Sequence, residues 1–412
     1  MDDQKAESPA VTDILSRSRS VRNIALLSVA QALGGSSQAI VMSIAALTAA
    51  SMAPSRAFAT LPVTAMVIGL AFGTSPATYL VHRLGRTRGF MLAGMLAIPA
   101  AVLAAFAVVI QNFYLFCAAL FVMGTTAAAF QQIRFAAADS VAEDMKGPAI
   151  SWVMFGGVAA GFLGPQLSNI SRDWVPGAPF AAGYLVMAGL ALVSIGVLSQ
   201  TRLAPTRQPG AAEPAGRPLA VLLRTSAIVV PIVGAAVSYA LMTLIMVAAP
   251  LAMVYVCGHS PDAASGAIQW HIVAMFAPSF ITGSIIKRIG AHLTAAIGLA
   301  LIIACAVTTL NGITVAHFNA ALILLGLGWN LGFIGSTALL TGAYRPQEAA
   351  RVQAVNEQVV FGTMAVASIG SGLLLQLIGW EAINILAIPV AAFAILLLGW
   401  GDIARRRLQP AE

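Results

Sequence analysis

Hydrophobic runs that are long enough to cross a lipid bilayer recur along the whole chain. A membrane-spanning helix needs about 20 predominantly apolar residues. With 59% hydrophobic and only 9% charged residues, the chain is far from the roughly 25% charged fraction of a soluble domain. Twelve runs meet the length requirement, at about 24–49, 59–81, 89–110, 113–135, 148–170, 179–199, 226–251, 264–286, 293–313, 318–341, 353–377 and 382–401. The sequence therefore predicts an all-α membrane protein with twelve transmembrane helices.

Lysine and arginine are distributed unevenly over the connections between these runs. An even number of spans puts both termini on one side, and that side collects nearly all basic residues, whereas the other keeps only Arg56 and Arg172. This is the pattern in which basic loops face the cytoplasm. It predicts that both termini are cytoplasmic, and it explains the net charge of +7 without nucleic acid as a partner. The first 22 residues lack the order of a signal peptide, so the first run is predicted to be retained.

A segment rich in Pro, Gly, Ala and Arg separates the sixth run from the seventh. Its composition is typical of a flexible linker. We expect a cytoplasmic tail, a first six-helix bundle, the linker, a second six-helix bundle and a basic cytoplasmic tail. The predicted boundaries are 1–23, 24–199, 200–223, 224–403 and 404–412.

Short motifs recur at matching positions of the two bundles. His-Arg-Leu-Gly at 82–85 returns as Lys-Arg-Ile-Gly at 287–290, in both cases between the second and third spans of a bundle. Val-x-Phe-Gly at 153–156 returns at 359–362. The recurrence predicts two pseudo-symmetric bundles in parallel orientation.

Residues 79–88 (Tyr-Leu-Val-His-Arg-Leu-Gly-Arg-Thr-Arg) resemble the loop between helices two and three that marks the major facilitator superfamily. A parallel repeat of six plus six helices is also typical of that superfamily. The family usually has an acidic residue where this chain has His82. The resemblance covers essentially the whole chain, and it implies the major facilitator fold and a transporter of the bacterial inner membrane rather than an enzyme.

This loop, its repeat and the end of the fourth span contain the residues to which we assign gating or structural roles. Gly85 allows a tight turn, and the arginines can reach helix ends where carbonyl dipoles are negative. The residues are Arg83, Gly85, Arg86, Gln131, Arg134, Asp139, Arg288 and Gly290.

Two pairs of soft metal ligands lie in the seventh and eighth spans: Met242 with Met246, and His271 with Met275. A spacing of four residues puts both members of a pair on one helix face. At 1.5 Å per residue, the methionine pair lies about 24–30 Å above the start of its span and His271 about 10 Å below the opposite surface, so the pairs meet at similar depth. Thioether and imidazole groups suit Cu(I).

The same pairs resemble the CcoA-like copper importers, which carry Met-x-x-x-Met in the seventh span and His-x-x-x-Met in the eighth. The resemblance implies copper as the transported substrate, delivery to cytochrome oxidase assembly and a cytoplasmic copper chaperone as a partner, with no cofactor. Met253, Cys257 and His259 lie beyond the seventh span, where they could pass the ion to the site.

Other interpretations stay open at this point. Methionine is a common filler of apolar packing, and His271 can be a neutral imidazole bonded to a backbone carbonyl. The chain could instead carry riboflavin or another small organic solute, coupled to protons, with Trp270, Trp329, Gln131 and Asn330 in its cavity. A copper sensor or assembly factor without transport is a third hypothesis. The chain has no nucleotide-binding loop of the Gly-x-x-x-x-Gly-Lys-Ser/Thr type, so ATP is not the expected energy source.

Overall fold

The structure is a computed structural model that describes residues 9–138, 140–141, 146–203 and 216–408. These residues form helices joined by short turns, and no strand occurs among them. The helices are α1 (Pro9–Ala50), α2 (Leu61–Leu84), α3 (Arg86–Val109), α4 (Phe113–Phe130), α5 (Ile133–Ala138), α6 (Lys146–Ser171), α7 (Ala181–Leu198), α8 (Leu219–Leu222), α9 (Ser226–Leu251), α10 (Pro261–Phe276), α11 (Ser279–Ile289), α12 (Ala291–Leu310), α13 (Val315–Thr341), α14 (Ala349–Leu377) and α15 (Gly379–Leu408). Short 3₁₀ helices at Arg56–Phe58 and Pro346–Glu348 precede α2 and α14.

Most of these helices can cross a membrane. Ten described helices are long and apolar enough to do so, and α10 and α11, which meet at a bend of 47°, are together long and apolar enough for an eleventh. The 26 residues of α6 extend about 39 Å at 1.5 Å per residue, enough for a twelfth span. The all-α, membrane-spanning architecture predicted from the hydrophobic runs is confirmed.

Helices pack in the same order in the two parts of the chain. In the first part, here called the N half (α1–α7), α1 packs on α6, α2 on α4 and α3 on α7. In the second, the C half (α9–α15), α9 packs on α14, α10 on α13 and α12 on α15. The predicted bundle boundaries themselves stay a prediction, and half of the expected linker, 204–215, lies outside the described residues.

Two glycines shape equivalent turns in the two halves. Gly85 joins α2 to α3 with a φ of +82°, and Gly290 joins α11 to α12 with a φ of +84°. Glycine adopts this left-handed region without steric cost, unlike other residues. We call the side with these turns the basic side. There, the Arg83 guanidinium lies 5.0 Å from the centre of the Tyr79 ring.

On the opposite, far side of the membrane domain, polar contacts join the two halves. The Thr64 hydroxyl donates to the Ser368 hydroxyl at 2.8 Å, and both side chains are buried. The Arg56 guanidinium lies 4.6 Å from the centre of the Tyr255 ring. Three further pairs are Ser55 with Gln376 at 3.2 Å, Gln166 with Gln269 at 2.8 Å and Arg172 with Asp262 at 2.8 Å. The halves are therefore in contact on the far side.

Candidate functional site

A cavity of about 230 Å³ lies between the two halves. The N half contributes side chains from α5 and α6, and the C half contributes side chains from α11 and α13. The lining residues are Arg134, Met154, Ser279, Phe280, Trp329, Phe333 and Ile334. Because Trp329 is near the middle of the 27-residue α13, the cavity lies deep in the membrane domain. This is where transporters built from two repeats bind substrate.

Aromatic rings form one wall of the cavity. Trp329 and Phe333 are one helical turn apart on α13, and their rings are stacked with centres 5.3 Å apart and planes 8° apart. Tyr239 of α9 meets both rings edge-on, at 5.2 Å and 5.3 Å. The Trp329 indole N–H is buried without a hydrogen-bond partner among the described residues. The wall thus offers aromatic surface to a ligand, whereas the indole N–H itself is buried.

One charged group lines the cavity within the described part of the chain. Arg134 of α5 interacts electrostatically with Glu357 of α14 and with Tyr239 of α9. Arg134 belongs to the N half and Glu357 to the C half, so this electrostatic interaction crosses the interface between them. The other described residues of the lining are apolar or neutral.

Asn330 follows Trp329 in sequence but has a structural role. Its Nδ2 donates to the Met275 carbonyl at 2.7 Å and to the Ser279 hydroxyl at 2.8 Å, and its Oδ1 accepts from the Thr282 hydroxyl at 2.6 Å. These bonds satisfy the backbone where α10 breaks before α11, as the apolar surroundings require. Asn330 is therefore occupied in holding the bent span.

The remaining candidates for an organic-solute site lie elsewhere. Gln131 lines a smaller cavity of about 50 Å³ inside the N half, together with Gln31 and Gln38 of α1. Trp270 is 45% exposed and packs edge-on against Phe162 across the two halves at 5.7 Å. Of the four candidates proposed from the sequence, only Trp329 lines the cavity between the halves.

The four predicted metal ligands are buried, and Met242, Met246 and Met275 belong to one apolar cluster. His271 is fully buried, and its Nδ1 lies 2.8 Å from the Leu322 carbonyl oxygen. Its Nε2 has no hydrogen-bond partner among the described residues. His271 thereby connects α10 to α13, and the assignment of these four residues as a metal site stays a prediction.

The predicted metal relay lies at the far-side end of α9. Met253 is buried, and Cys257 is half-buried. His259 Nε2 is 2.7 Å from the Ile313 carbonyl oxygen. The part of the chain that the structure describes contains no group of three or more His, Cys, Asp or Glu residues that could hold a metal ion.

Among the predicted gating residues, Arg288 is exposed on the basic side next to Gly290. Arg86 lies in the first turn of α3, directly after Gly85. Asp139 lies outside the described residues. The gating roles of these residues stay predictions.

Three residues at or beside the cavity were not predicted from the sequence: Tyr239, Phe333 and Glu357. Two signals for them were present. Trp329 and Phe333 have the four-residue spacing that places side chains on one helix face. Glu357 is an acidic residue in the predicted eleventh span, and an ionisable residue inside a span is a functional candidate by default.

Comparison with known proteins identifies the family. The sequence profile of the Major Facilitator Superfamily matches residues 27–361. The riboflavin transporter RfnT of Brucella anthropi is 44% identical over 378 residues, which cover 92% of this chain and 95% of that protein. The uncharacterized MFS-type transporter YdeG of Bacillus subtilis is 30% identical over 404 residues, covering 90% of this chain and 92% of that protein.

These relatives correct the cargo predicted from the sequence. The prediction of copper import was wrong, because the relative that is 44% identical is a riboflavin transporter. The link to cytochrome oxidase assembly and the resemblance to copper importers find no support in either relative. The prediction of a transporter rather than an enzyme is confirmed. The chain belongs to the Major Facilitator Superfamily.

Proposed function

We propose that this protein transports riboflavin across the membrane. The identity of 44% to a riboflavin transporter, along nearly the full length of both chains, supports this cargo. The observation that carries the proposal is the stacked pair Trp329 and Phe333, which lines the cavity between the halves. Riboflavin has a flat tricyclic ring, and such a ring binds best to a flat aromatic surface with a few polar groups beside it.

Transport proceeds by alternating access in this proposal. The halves are in contact on the far side, and a rocking motion that separates them there would open the cavity to that side. Opening of the far side must break the ion pair between Arg172 and Asp262. Their side chains are 28% and 54% exposed. An exposed pair of this kind stabilises by only about 0–1 kcal/mol, so it does not prevent opening.

We further propose that the basic side faces the cytoplasm of a bacterial inner membrane. The connection around Gly85, the connection around Gly290 and the last residues of the chain are rich in arginine and lysine, whereas the far side has few such residues. Membrane insertion places basic loops on the cytoplasmic side. In this orientation, the two six-helix bundles are joined by a cytoplasmic linker at 200–223.

Uptake in a bacterium that cannot make riboflavin tests the proposed cargo. Cells that express the protein should accumulate radiolabelled riboflavin, and Trp329→Ala should weaken apparent affinity. Stacking on one aromatic side chain contributes about 1–3 kcal/mol, so the expected loss is about 5- to 150-fold. Trp329→Phe keeps a ring at this position and should retain most of the affinity.

Trp400→Ala is the matched control. Trp400 is 56% exposed on α15, far along the chain from every lining residue of the cavity, and its loss should leave uptake unchanged. Wild-type cells that accumulate no more riboflavin than cells without the protein would refute the cargo. Equal uptake by the Trp329→Ala variant and the wild type would refute the site.

A further inference from the structure

We propose that Ser279 donates a hydrogen bond to a ring carbonyl oxygen of the flavin, so that the cavity recognises this oxygen as well as the flat ring. The inference rests on the proposed function, because it names the polar group that holds the same cargo in the same cavity. Ser279 lines the cavity at the start of α11. A few well-placed polar groups beside an apolar surface fix the orientation of a ligand.

The hydroxyl of Ser279 lacks the partner that membrane serines commonly have. Ser43, for example, donates to the Ala39 carbonyl four residues earlier in its own helix, at 2.9 Å. Such a bond satisfies a hydroxyl within the helix that carries it. For Ser279, the residue four positions earlier is Met275, but α10 ends and α11 begins between the two. No hydrogen bond joins the Ser279 hydroxyl to the Met275 carbonyl, which instead accepts from Asn330.

The side-chain amide of Asn330 decides the role of the Ser279 hydroxyl. A carbonyl oxygen can only accept, so the contact of 2.7 Å with the Met275 carbonyl requires the amide nitrogen of Asn330 at that position. The same nitrogen lies 2.8 Å from Ser279 Oγ, and an amide nitrogen only donates. Ser279 Oγ is therefore the acceptor, and its own hydrogen points away from Asn330. No described residue accepts that hydrogen.

The aromatic wall would bring a flavin ring to this hydroxyl. Asn330 directly follows Trp329 on α13, and both Trp329 and Ser279 line the cavity. The hydroxyl is therefore held beside the surface on which the ring would stack. One edge of the flavin ring carries two carbonyl oxygens, which can only accept hydrogen bonds. A hydroxyl whose oxygen is held by Asn330 and whose hydrogen is uncommitted is suited to donate to one of them.

Fluorescence titration of the purified full-length protein with riboflavin and with lumiflavin tests the inference. Lumiflavin has the same ring carbonyls, but a methyl group replaces the hydroxylated chain. Ser279→Ala should weaken the binding of both flavins by a similar factor of about 2- to 13-fold, which is the effect of one neutral hydrogen bond. A loss for riboflavin alone would place the hydroxyl against the hydroxylated chain and overturn the inference.

Riboflavin analogues with sulfur in place of one ring carbonyl oxygen test the same contact from the ligand. Sulfur is a weaker acceptor than oxygen, so the wild type should bind one of the two analogues less tightly than riboflavin. Ser279→Ala should bind that analogue and riboflavin almost equally. If the variant loses as much affinity for the analogue as the wild type does, the loss comes from the size of sulfur and the inference is overturned.

Ser43→Ala is the matched control, because it removes a hydroxyl that is satisfied within its own helix and lines neither described cavity. Its affinity for both flavins should equal that of the wild type. Unchanged affinity in Ser279→Ala would overturn the inference and leave the proposed cargo intact. If Ser279→Ala does not fold, equal binding of riboflavin and both sulfur analogues by the wild type would overturn it. A wild type that binds neither flavin would overturn the proposed function itself.

Discussion

Glu348 is the most highly coordinated carboxylate among the described residues. It is fully buried in the connection that precedes α14 on the basic side. Arg217 donates to it from Nε and Nη2, both at 2.8 Å, and from its backbone N–H at 3.0 Å. The backbone N–H of Arg345 donates at 2.9 Å. A two-pronged arginine–carboxylate contact is among the stronger polar contacts in proteins, and here it ties the segment before α8 to the start of α14.

This contact predicts how stability depends on pH. The side-chain hydrogen bonds from Arg217 hold the pKa of Glu348 well below its ordinary value of 4.5. A carboxyl with a depressed native pKa stabilises the fold above its unfolded pKa, and that contribution is lost as the pH falls toward the native pKa. Glu348→Gln should therefore unfold at a lower temperature than the wild type at neutral pH. The difference should shrink between about pH 5 and about pH 3.

Thermal unfolding of the detergent-solubilised protein, followed by intrinsic fluorescence, measures this effect. Glu381→Gln, which changes an exposed carboxyl, should melt like the wild type at each pH. A temperature difference between Glu348→Gln and the wild type that is the same at both ends of the pH range would contradict the assigned role.

His271 shows why the cargo could not be predicted from residue types. Its spacing from Met275 correctly indicated a shared helix face, but the sequence does not say what that face meets. In the structure His271 meets the carbonyl oxygen of Leu322, a residue that lies 51 positions away in the chain. The same residue pattern occurs in metal sites and in packed cores. A histidine that binds a metal also commonly bonds a backbone carbonyl through its other ring nitrogen, so this contact fits both and the site assignment stays a prediction.

At the scale of helices, the far-side contact between the halves depends on α14. Its Gly372 packs against the 3₁₀ helix and the start of α2. A Cβ atom at this position would lie 2.6 Å from both the Ala57 carbonyl oxygen and the Thr60 hydroxyl. Because one of these atoms belongs to the backbone, the helices would have to move apart to accept a side chain.

Gly372→Ala should therefore favour opening of the far side. With the three native cysteines replaced by serine, alkylation of a cysteine placed at Thr64 reports this opening. A shift of roughly 1 kcal/mol would raise the alkylation rate about fivefold. Gly370→Ala is the matched control, since a Cβ there meets only methyl groups, at 3.8 Å and 3.9 Å. Equal rates in the two variants would show that this contact does not hold the halves together.

Hydrophobic periodicity predicted the helices well and their breaks poorly. The eighth run, about 264–286, contained Pro278, yet we expected one continuous helix. The structure ends α10 at Phe276 and starts α11 at Ser279. A break inside a membrane is stable only if other groups satisfy the freed backbone. Here the side chain of Asn330 on α13 bonds the freed carbonyl of Met275. Because Asn330 is so distant in sequence, the hydrophobic run alone could not predict this partner.

At the scale of the whole molecule, the repeat was the part of the architecture that the sequence predicted best. The motifs at 82–85 and 287–290 end in glycines with nearly identical backbone angles. The cavity was much harder to predict, because its walls come from four helices of two halves. Which faces meet depends on how the halves close. The fold also hosts many cargoes, which is why a correct fold prediction accompanied a wrong cargo.

Uptake by the purified protein in lipid vesicles tests the central claim most directly, because no other carrier is present. Vesicles that contain the wild type should take up radiolabelled riboflavin faster than protein-free vesicles, excess unlabelled riboflavin should compete, and Cu(I) should not. Vesicles with Trp329→Ala should show a reduced rate at low riboflavin concentration. The protein used must unfold cooperatively on heating, which shows that it is folded. If riboflavin then enters its vesicles no faster than protein-free vesicles, the proposed function is contradicted.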